Sequence, residues 1–289
     1  MKYKYIVRRV GEYYYSLTNM NKKYAAKFPE WTRDNKKYYM YLSDDLDSLF
    51  SCIILEKILG YEITHFYSFN ELFRGDNYIN NGTTLVGIDM DIVAKDYFCW
   101  GNHVAGTYNP NSANINTILK IGNINYLHKY AGSCLLQIIS YYDLDISMLS
   151  EEAKMILLAV DTTFKMYGFN KENCKHYLVD ILELEDLYKL CEQHKQQEFY
   201  DLIKKYNLHE KIYINDDMLE TSIDLKSMEQ IFNISFILPK NKFKLTYKYN
   251  NIGVNSYQYF QLEEKLKSEG RIIFTKAWTN RDYLKLSYI

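Results

Sequence analysis

The acidic turn at residues 43–48, Ser-Asp-Asp-Leu-Asp-Ser, constrains this chain more than any other segment. It follows a short apolar run at 37–42 (KYYMYL). It leads into a stretch where Leu46, Leu49, Phe50, Ile53, Ile54 and Ile58 recur at helical spacing until Gly60. That pattern predicts a strand, an acidic turn and a helix over 46–59. One carboxylate is enough to cap a helix and favour its positive end. Asp44, Asp45 and Asp47 together exceed what capping needs, so the turn is a candidate site as well as a structural joint.

Further strands are expected at 62–67 (EITHFY), at 83–88 (TTLVGI, ending at Asp89) and at 97–100, just before His103. Helices are expected at 130–142 and at 151–160, the second opened by Ser150, Glu151 and Glu152 and ending at Asp161. Strands alternating with helices predict an α/β domain, a mainly parallel sheet flanked by helices. Beyond Asn170 the pattern changes to charged helical stretches (181–191, 197–206) and then to strand-like runs at 231–238, 243–249 and 271–276. The expected division is an N-terminal extension at 1–36 packed on the core, an α/β domain at 37–175, and a smaller α+β C-terminal domain at 176–289.

The 289 residues suffice for one large core or two modest ones. A net charge of −1 argues against a grip on long duplex DNA, which usually needs a basic excess, and favours a small or short phosphorylated substrate, or a locally basic groove hidden by the average. Thirty tyrosines offer stacking surfaces for bases, although amphipathic packing is the simpler use for most of them. Five scattered cysteines, none at C-x-x-C spacing, read as reduced core thiols. Cys174 and His176 lack a second ligand pair at zinc spacing. Apolar runs such as 50–59 and 155–160 are too short to span a bilayer, and no secretion signal opens the chain. A cytoplasmic protein with no membrane partner is expected, and a homodimer stays open.

In open parallel sheets, ligands bind where loops converge at the carboxyl ends of the strands. Asp45 and Asp47 follow one expected strand, Asp89 ends a second and His103 follows a third. Carboxylates meeting there repel one another and are costly to desolvate, and a divalent cation relieves both effects. Oxygen donors with one imidazole suit Mn²⁺ or Mg²⁺ better than a thiolate-seeking metal.

Taken in order, these segments resemble the motifs of the DHH phosphoesterases. Asp45-Leu46-Asp47-Ser48-Leu49-Phe50-Ser51 looks like the first motif, D-x-D-G-x-x-S at a strand-to-helix turn. Gly87-Ile88-Asp89 is similar to the second. Trp100-Gly101-Asn102-His103-Val104 falls where the name-giving Asp-His-His belongs, with Asn109-Pro110 following as in several members. Leu158-Ala159-Val160-Asp161-Thr162-Thr163-Phe164 looks like the fourth. The resemblance covers residues 38–170.

The resemblance implies a phosphodiesterase using two Mn²⁺ ions, or Mg²⁺, held by Asp45, Asp47, Asp89, His103 and Asp161. Asp47 and Asp89 would be shared between the ions and, with His103, would carry catalysis. Short oligonucleotides, cyclic dinucleotides, single-stranded DNA and pyrophosphate are substrates within the family. The charge balance and second domain favour short oligonucleotides or small nucleotides. Asn102, Gly132, Ser133 and Arg281 are the expected substrate contacts. Gly132 and Ser133 would open a helix whose N–H groups receive a phosphate, and Arg281 or Lys285 would face a phosphate across the cleft. Asp91 is expected behind the ligands.

The chain departs from the family pattern in three places. Tyr41 stands where many members carry a histidine, and Asp44 is a candidate substitute. In the third motif, either Asn102 replaces the aspartate and His103 is a ligand, or Gly101 replaces it and His103 contacts substrate. The first alignment is favoured because Asn is nearly isosteric with Asp. One histidine of the pair is missing in both, so the alternative is a degenerate module that binds nucleotides or proteins without turnover. The Gly-rich segment of the family's C-terminal module is reduced to Gly253. His65, His128, His176, His194 and His209 match no motif.

Overall fold

The computed structural model describes residues 20–289, so residues 1–19 of the expected extension lie outside the described residues. The strands are β1 (Tyr39–Leu42), β2 (Glu62–Tyr67), β3 (Glu71–Gly75), β4 (Leu85–Ile88), β5 (Phe98–Trp100), β6 (Ser112–Ala113), β7 (Ile212–Asn215), β8 (Met218–Thr221), β9 (Phe243–Lys248), β10 (Asn250–Asn255), β11 (Ile273–Asn280) and β12 (Tyr283–Tyr288). Seven of them form a mostly parallel central sheet in the order β6-β5-β4-β1-β2-β3-β9. β6 through β2 run parallel; β3 runs opposite to them, and β9, antiparallel to β3, returns to their direction. β1 is buried along its whole length, as a strand covered on both faces must be. The chain leaves β1 for β2 on one side and later returns to β4 on the other. Strand order therefore reverses at β1, and that reversal opens a crevice at the carboxyl ends of β1 and β4.

Helix Leu46–Leu59 starts where expected, because Asp45 caps it by accepting from Ser48 N at 3.2 Å. It ends at Gly60, whose φ of 68° suits a residue without Cβ. Ser48 Oγ accepts from Ser43 N and donates to Ile88 O, each at 2.8 Å, so the acidic turn is pinned to the end of β4. Residues 20–36 pack over β5: Trp31 stacks on Phe98 with centroids 5.3 Å apart and donates to Asn111 O.

One apolar core runs from Met20 to Phe243, straight through the expected boundary at 175/176. Helices Glu185–Gln193, Gln196–Tyr206 and Leu225–Phe232 bury Leu187, Phe199, Met228 and Phe232 in that same core. The smaller C-terminal unit is an antiparallel sheet, β10-β12-β11, covered by helix Ser256–Ser268. Its own cluster comprises Val254, Tyr259, Leu266, Trp278, Leu284 and Leu286, joined by Val104 and Tyr126.

Several elements differ from expectation. The strand expected at 231–238 does not form. Asp224 caps a helix by accepting from Ser227 N at 3.0 Å, Leu225, Met228 and Phe232 give it an apolar stripe, and Asn233 ends it at φ 52°. β9 extends the central sheet and does not belong to the C-terminal one. The helix expected from 130 begins at Cys134, after the Ser133 cap. The β7–β8 hairpin, turned by Asp216 and Asp217 at φ 48° and 64°, was not anticipated because its turn lacks glycine. Among the described residues no helix is long and apolar enough to cross a membrane. All five cysteines are buried and free.

Candidate functional site

A cleft of about 720 Å³ opens above the carboxyl ends of β1 and β4. One wall carries Asp44, Asp45, Asp89, Asp91, His103 and Asp161, and the other comes from β10, β11 and β12 of the C-terminal unit. Backbone bonds hold the walls together: Val93 N donates to Phe274 O, Lys276 N to Asp91 O and Trp278 N to Val104 O, at 2.9, 3.0 and 2.9 Å. Tyr67 Oη, at the end of β2, lies 2.9 Å from Thr275 Oγ1 and 2.8 Å from Ser287 Oγ, closing a buried hydroxyl triangle.

Asp47 sits behind this wall, buried, with both oxygens turned to the first turn of helix Cys134–Tyr141. Oδ2 accepts from Cys134 N at 2.7 Å and Oδ1 from Leu135 N at 2.8 Å, while Ser133 Oγ accepts from Leu136 N. At the segment of Gly132 and Ser133, expected to offer N–H groups to a phosphate, the N–H groups of Cys134 and Leu135 are taken by Asp47. The positive helix end is already filled by a carboxylate of the chain itself. Burial, then the charges of Asp161 and Asp45, push the Asp47 carboxyl well above the usual carboxylate range despite those two bonds.

Asp89 ends β4 in the left-handed region at φ 55°, and its Oδ1 is buried without a hydrogen-bond partner. Burial, followed by the charges of Asp47, Asp45, Asp161 and Asp91, pushes its carboxyl well up. Asp161 is also raised, by burial first; the opposing charge of His103 is the next largest influence, and Asp45 adds to the rise. Asn102 Nδ2 donates to Asp161 Oδ2 at 2.8 Å and to Gly132 O at 3.1 Å. Asn102, expected to contact substrate, is buried and outside the cleft lining, where its amide orients Asp161.

The acceptor for His103 is Asp91. Asp91 Oδ2 lies 2.9 Å from His103 Nδ1, and Oδ1 accepts from His103 N at 3.3 Å and Asn114 Nδ2 at 2.8 Å. Burial alone would lower the imidazole pKa. The Asp91 hydrogen bond and the charges of Asp91 and Asp161 outweigh it and lift the ring to about 9. Gly101 makes this contact possible, because a Cβ there would fall 2.3 Å from Asp91 Oδ1. Buried amides fix the same loop: Gln137 Nε2 donates to Gly101 O at 2.8 Å and Asn116 Nδ2 to Asn102 O at 2.7 Å. Val104, where the second histidine of the family pair would stand, is fully buried against the C-terminal unit.

The structure thus brings Asp45, Asp89, His103 and Asp161 to one cleft, with Asp47 directly behind. Arg281, expected to contact substrate, lies on the exposed turn between β11 and β12, outside the lining, whereas Lys285 on β12 lines the cleft. Sequence reasoning missed the Asp91–His103 link and gave no weight to Lys211. Asp91 carried a weak signal, its place two residues after Asp89. Lys211 carried none.

Among the described residues, no three His, Cys, Asp or Glu side chains are gathered closely enough to hold a metal ion as they stand. Four of the five expected ligands have another partner: the helix N–H groups for Asp47, Asn102 for Asp161, Asp91 for His103 Nδ1, and Ser48 and Lys211 for Asp45. The donor set itself, carboxylate oxygens with one imidazole and an orphaned buried oxygen on Asp89, fits a hard divalent cation. Compared with known protein families, with curated proteins and with solved structures, the chain has no match in any of the three.

Proposed function

We propose that the cleft is a metal-dependent phosphodiesterase site acting on short oligonucleotides or small nucleotides, the activity suggested by the resemblance to DHH phosphoesterases. One observation carries the reading. Asp45, Asp47, Asp89 and Asp161, far apart in sequence, are near enough for their charges to act on one another at a sheet switch point. Keeping such a cluster ionised is costly, and a divalent cation removes that cost.

In this reading Asp45, Asp47, Asp89, Asp161 and His103 would hold the ions. The chemistry supplied by bound Mn²⁺ or Mg²⁺ is activation of water and Lewis-acid stabilisation of the phosphoryl group. Asp91 commits His103 Nδ1 and so reserves Nε2 for the cleft. Lys285, on the opposite wall, offers a cation to a phosphate oxygen. The buried Val104 favours a second reading, in which the site binds nucleotides without turnover.

Short RNA, short DNA and cyclic dinucleotides, each incubated with protein and Mn²⁺, test the proposal. Hydrolysis by the wild type and its loss in Asp47→Ala/Asp89→Ala is the expected pair of results. Full activity in the double variant sinks the catalytic assignment. A rise in Tm with Mn²⁺ but no cleavage of any substrate supports the binding-only reading; saturation at 100 Kd would add about 2.7 kcal/mol.

A further inference from the structure

Lys211 sits on the acidic wall itself. Its Nζ lies 3.0 Å from Asp44 Oδ1 and 3.4 Å from Asp45 Oδ2. The backbone keeps it there, since Ile212 N donates to Asp44 O at 2.8 Å and β7 begins against the acidic turn. The side chain is 58 % exposed and lines the same cleft as Asp89, His103 and Asp161. An ion pair this exposed contributes little and is easily broken. The two oxygens of Asp45 also differ: Oδ1 accepts from Ser48 N as the helix cap, while Oδ2 faces Lys211. Oδ2 is therefore the oxygen available to a different cation, and Lys211 is its present occupant.

We infer that Lys211 is a tethered counter-ion, displaced from Asp45 when a divalent cation binds, that then pairs with a phosphate oxygen of the substrate. This rests on the proposed metal site. A lysine suits both positions, because its ammonium is a compact point charge on a flexible four-carbon stem. In the metal-free protein the ammonium offsets part of the carboxylate charge. With metal bound, the ammonium and the metal repel one another, and a phosphate placed between them relieves that repulsion. Metal and phosphate then strengthen each other's binding, and the coupling is reciprocal.

The test measures Mn²⁺ binding by electron paramagnetic resonance, with and without inorganic phosphate, for the wild type, Lys211→Met and Lys285→Met. Lys285 lines the cleft from the opposite wall and controls for simple loss of positive charge. Without phosphate, Lys211→Met should bind Mn²⁺ about fivefold tighter than the wild type, the upper range for releasing an exposed pair. Lys285→Met should change that affinity by less than about twofold, as a charge outside the pair. Phosphate should tighten Mn²⁺ binding to the wild type and lose most of that effect in Lys211→Met. Equal Mn²⁺ affinities for wild type and Lys211→Met, or a phosphate gain in Lys211→Met as large as the wild type's, overturn the inference while leaving the metal site standing. Absence of Mn²⁺ binding to all three proteins removes the metal site and the inference together.

Discussion

Gly101→Ala isolates the Asp91–His103 pair without altering either side chain. The added Cβ would lie 2.3 Å from Asp91 Oδ1 and 3.0 Å from Met90 O, so the carboxylate must move. Three hydrogen bonds converge on it, from His103 N, His103 Nδ1 and Asn114 Nδ2. Bonds to a charged acceptor contribute about 1.5–3 kcal/mol each, so losing one or two costs about 2–5 kcal/mol. At about 2–4 °C per kcal/mol for a large domain, Tm should fall by roughly 4–20 °C.

The sharper readout is His103, which Asp91 and Asp161 hold at about 9 against the pull of burial; in the variant it should drop towards its ordinary 6.5. Because the folded value lies above the unfolded one, this stabilisation is complete below pH 6.5 and is lost as pH rises through about 9. The variant should therefore lose that slope. Titration of the imidazole protons by NMR, with calorimetry from pH 6 to 9.5, measures both effects. Gly122→Ala, where an added methyl meets nothing within 4 Å, is the control. A His103 that still titrates near 9 in Gly101→Ala would refute the reasoning.

Three other substitutions probe the same wall. Asp89→Asn should raise the Tm of the metal-free protein above pH 7. Burial and four neighbouring carboxylates push the Asp89 carboxyl up, so its contribution is lost as pH rises through that raised value, and a lower Tm at pH 8 contradicts this. Asp47→Ala strips the acceptor from Cys134 N and Leu135 N, each unmet donor costing about 1–3 kcal/mol. Hydrogen exchange at those two amides should accelerate, and unchanged protection argues against the assignment. Tyr67→Phe removes the hydroxyl shared with Thr275 and Ser287 and should cost about 1–3 kcal/mol in urea unfolding, two bonds at about 0.5–1.5 kcal/mol each; a neutral result means the triangle does not hold the walls.

Four of the five parallel strands, β1, β2, β4 and β5, were legible because they are mostly apolar runs, and Leu46–Leu59 because it carries apolar residues at helical spacing between a carboxylate cap and Gly60; β6, only Ser112–Ala113, carried no such signal. The carboxylates were legible for the same reason, since each stands at the end of such a run. Residues 225–238 misled because Ile234 and Phe236 continue an apolar alternation after a helix whose cap, Asp224, lies outside that run. β3 passed unnoticed because its residues are only partly buried and alternate weakly. Within the site, the Asp91–His103 bond requires the chain to fold back so that Met90 N meets Trp100 O, which no local pattern announces. The positive start of helix Cys134–Tyr141 was visible as an anion site. Whether a phosphate or Asp47 fills it is decided by contacts 87 and 88 residues away.

The two walls of the cleft come from opposite ends of the chain, and that has a consequence for how the protein is made. The last wall carboxylate is Asp161, the central sheet closes only with β9, and β10 to β12 supply the other wall after that. A chain synthesised from its N-terminus therefore has its acidic wall before residues 250–289 arrive. The facing wall of the cleft is added in the last docking event. A cut within 233–242, ahead of β9, would hold the protein at that earlier stage, with the acidic residues present and the cleft still open.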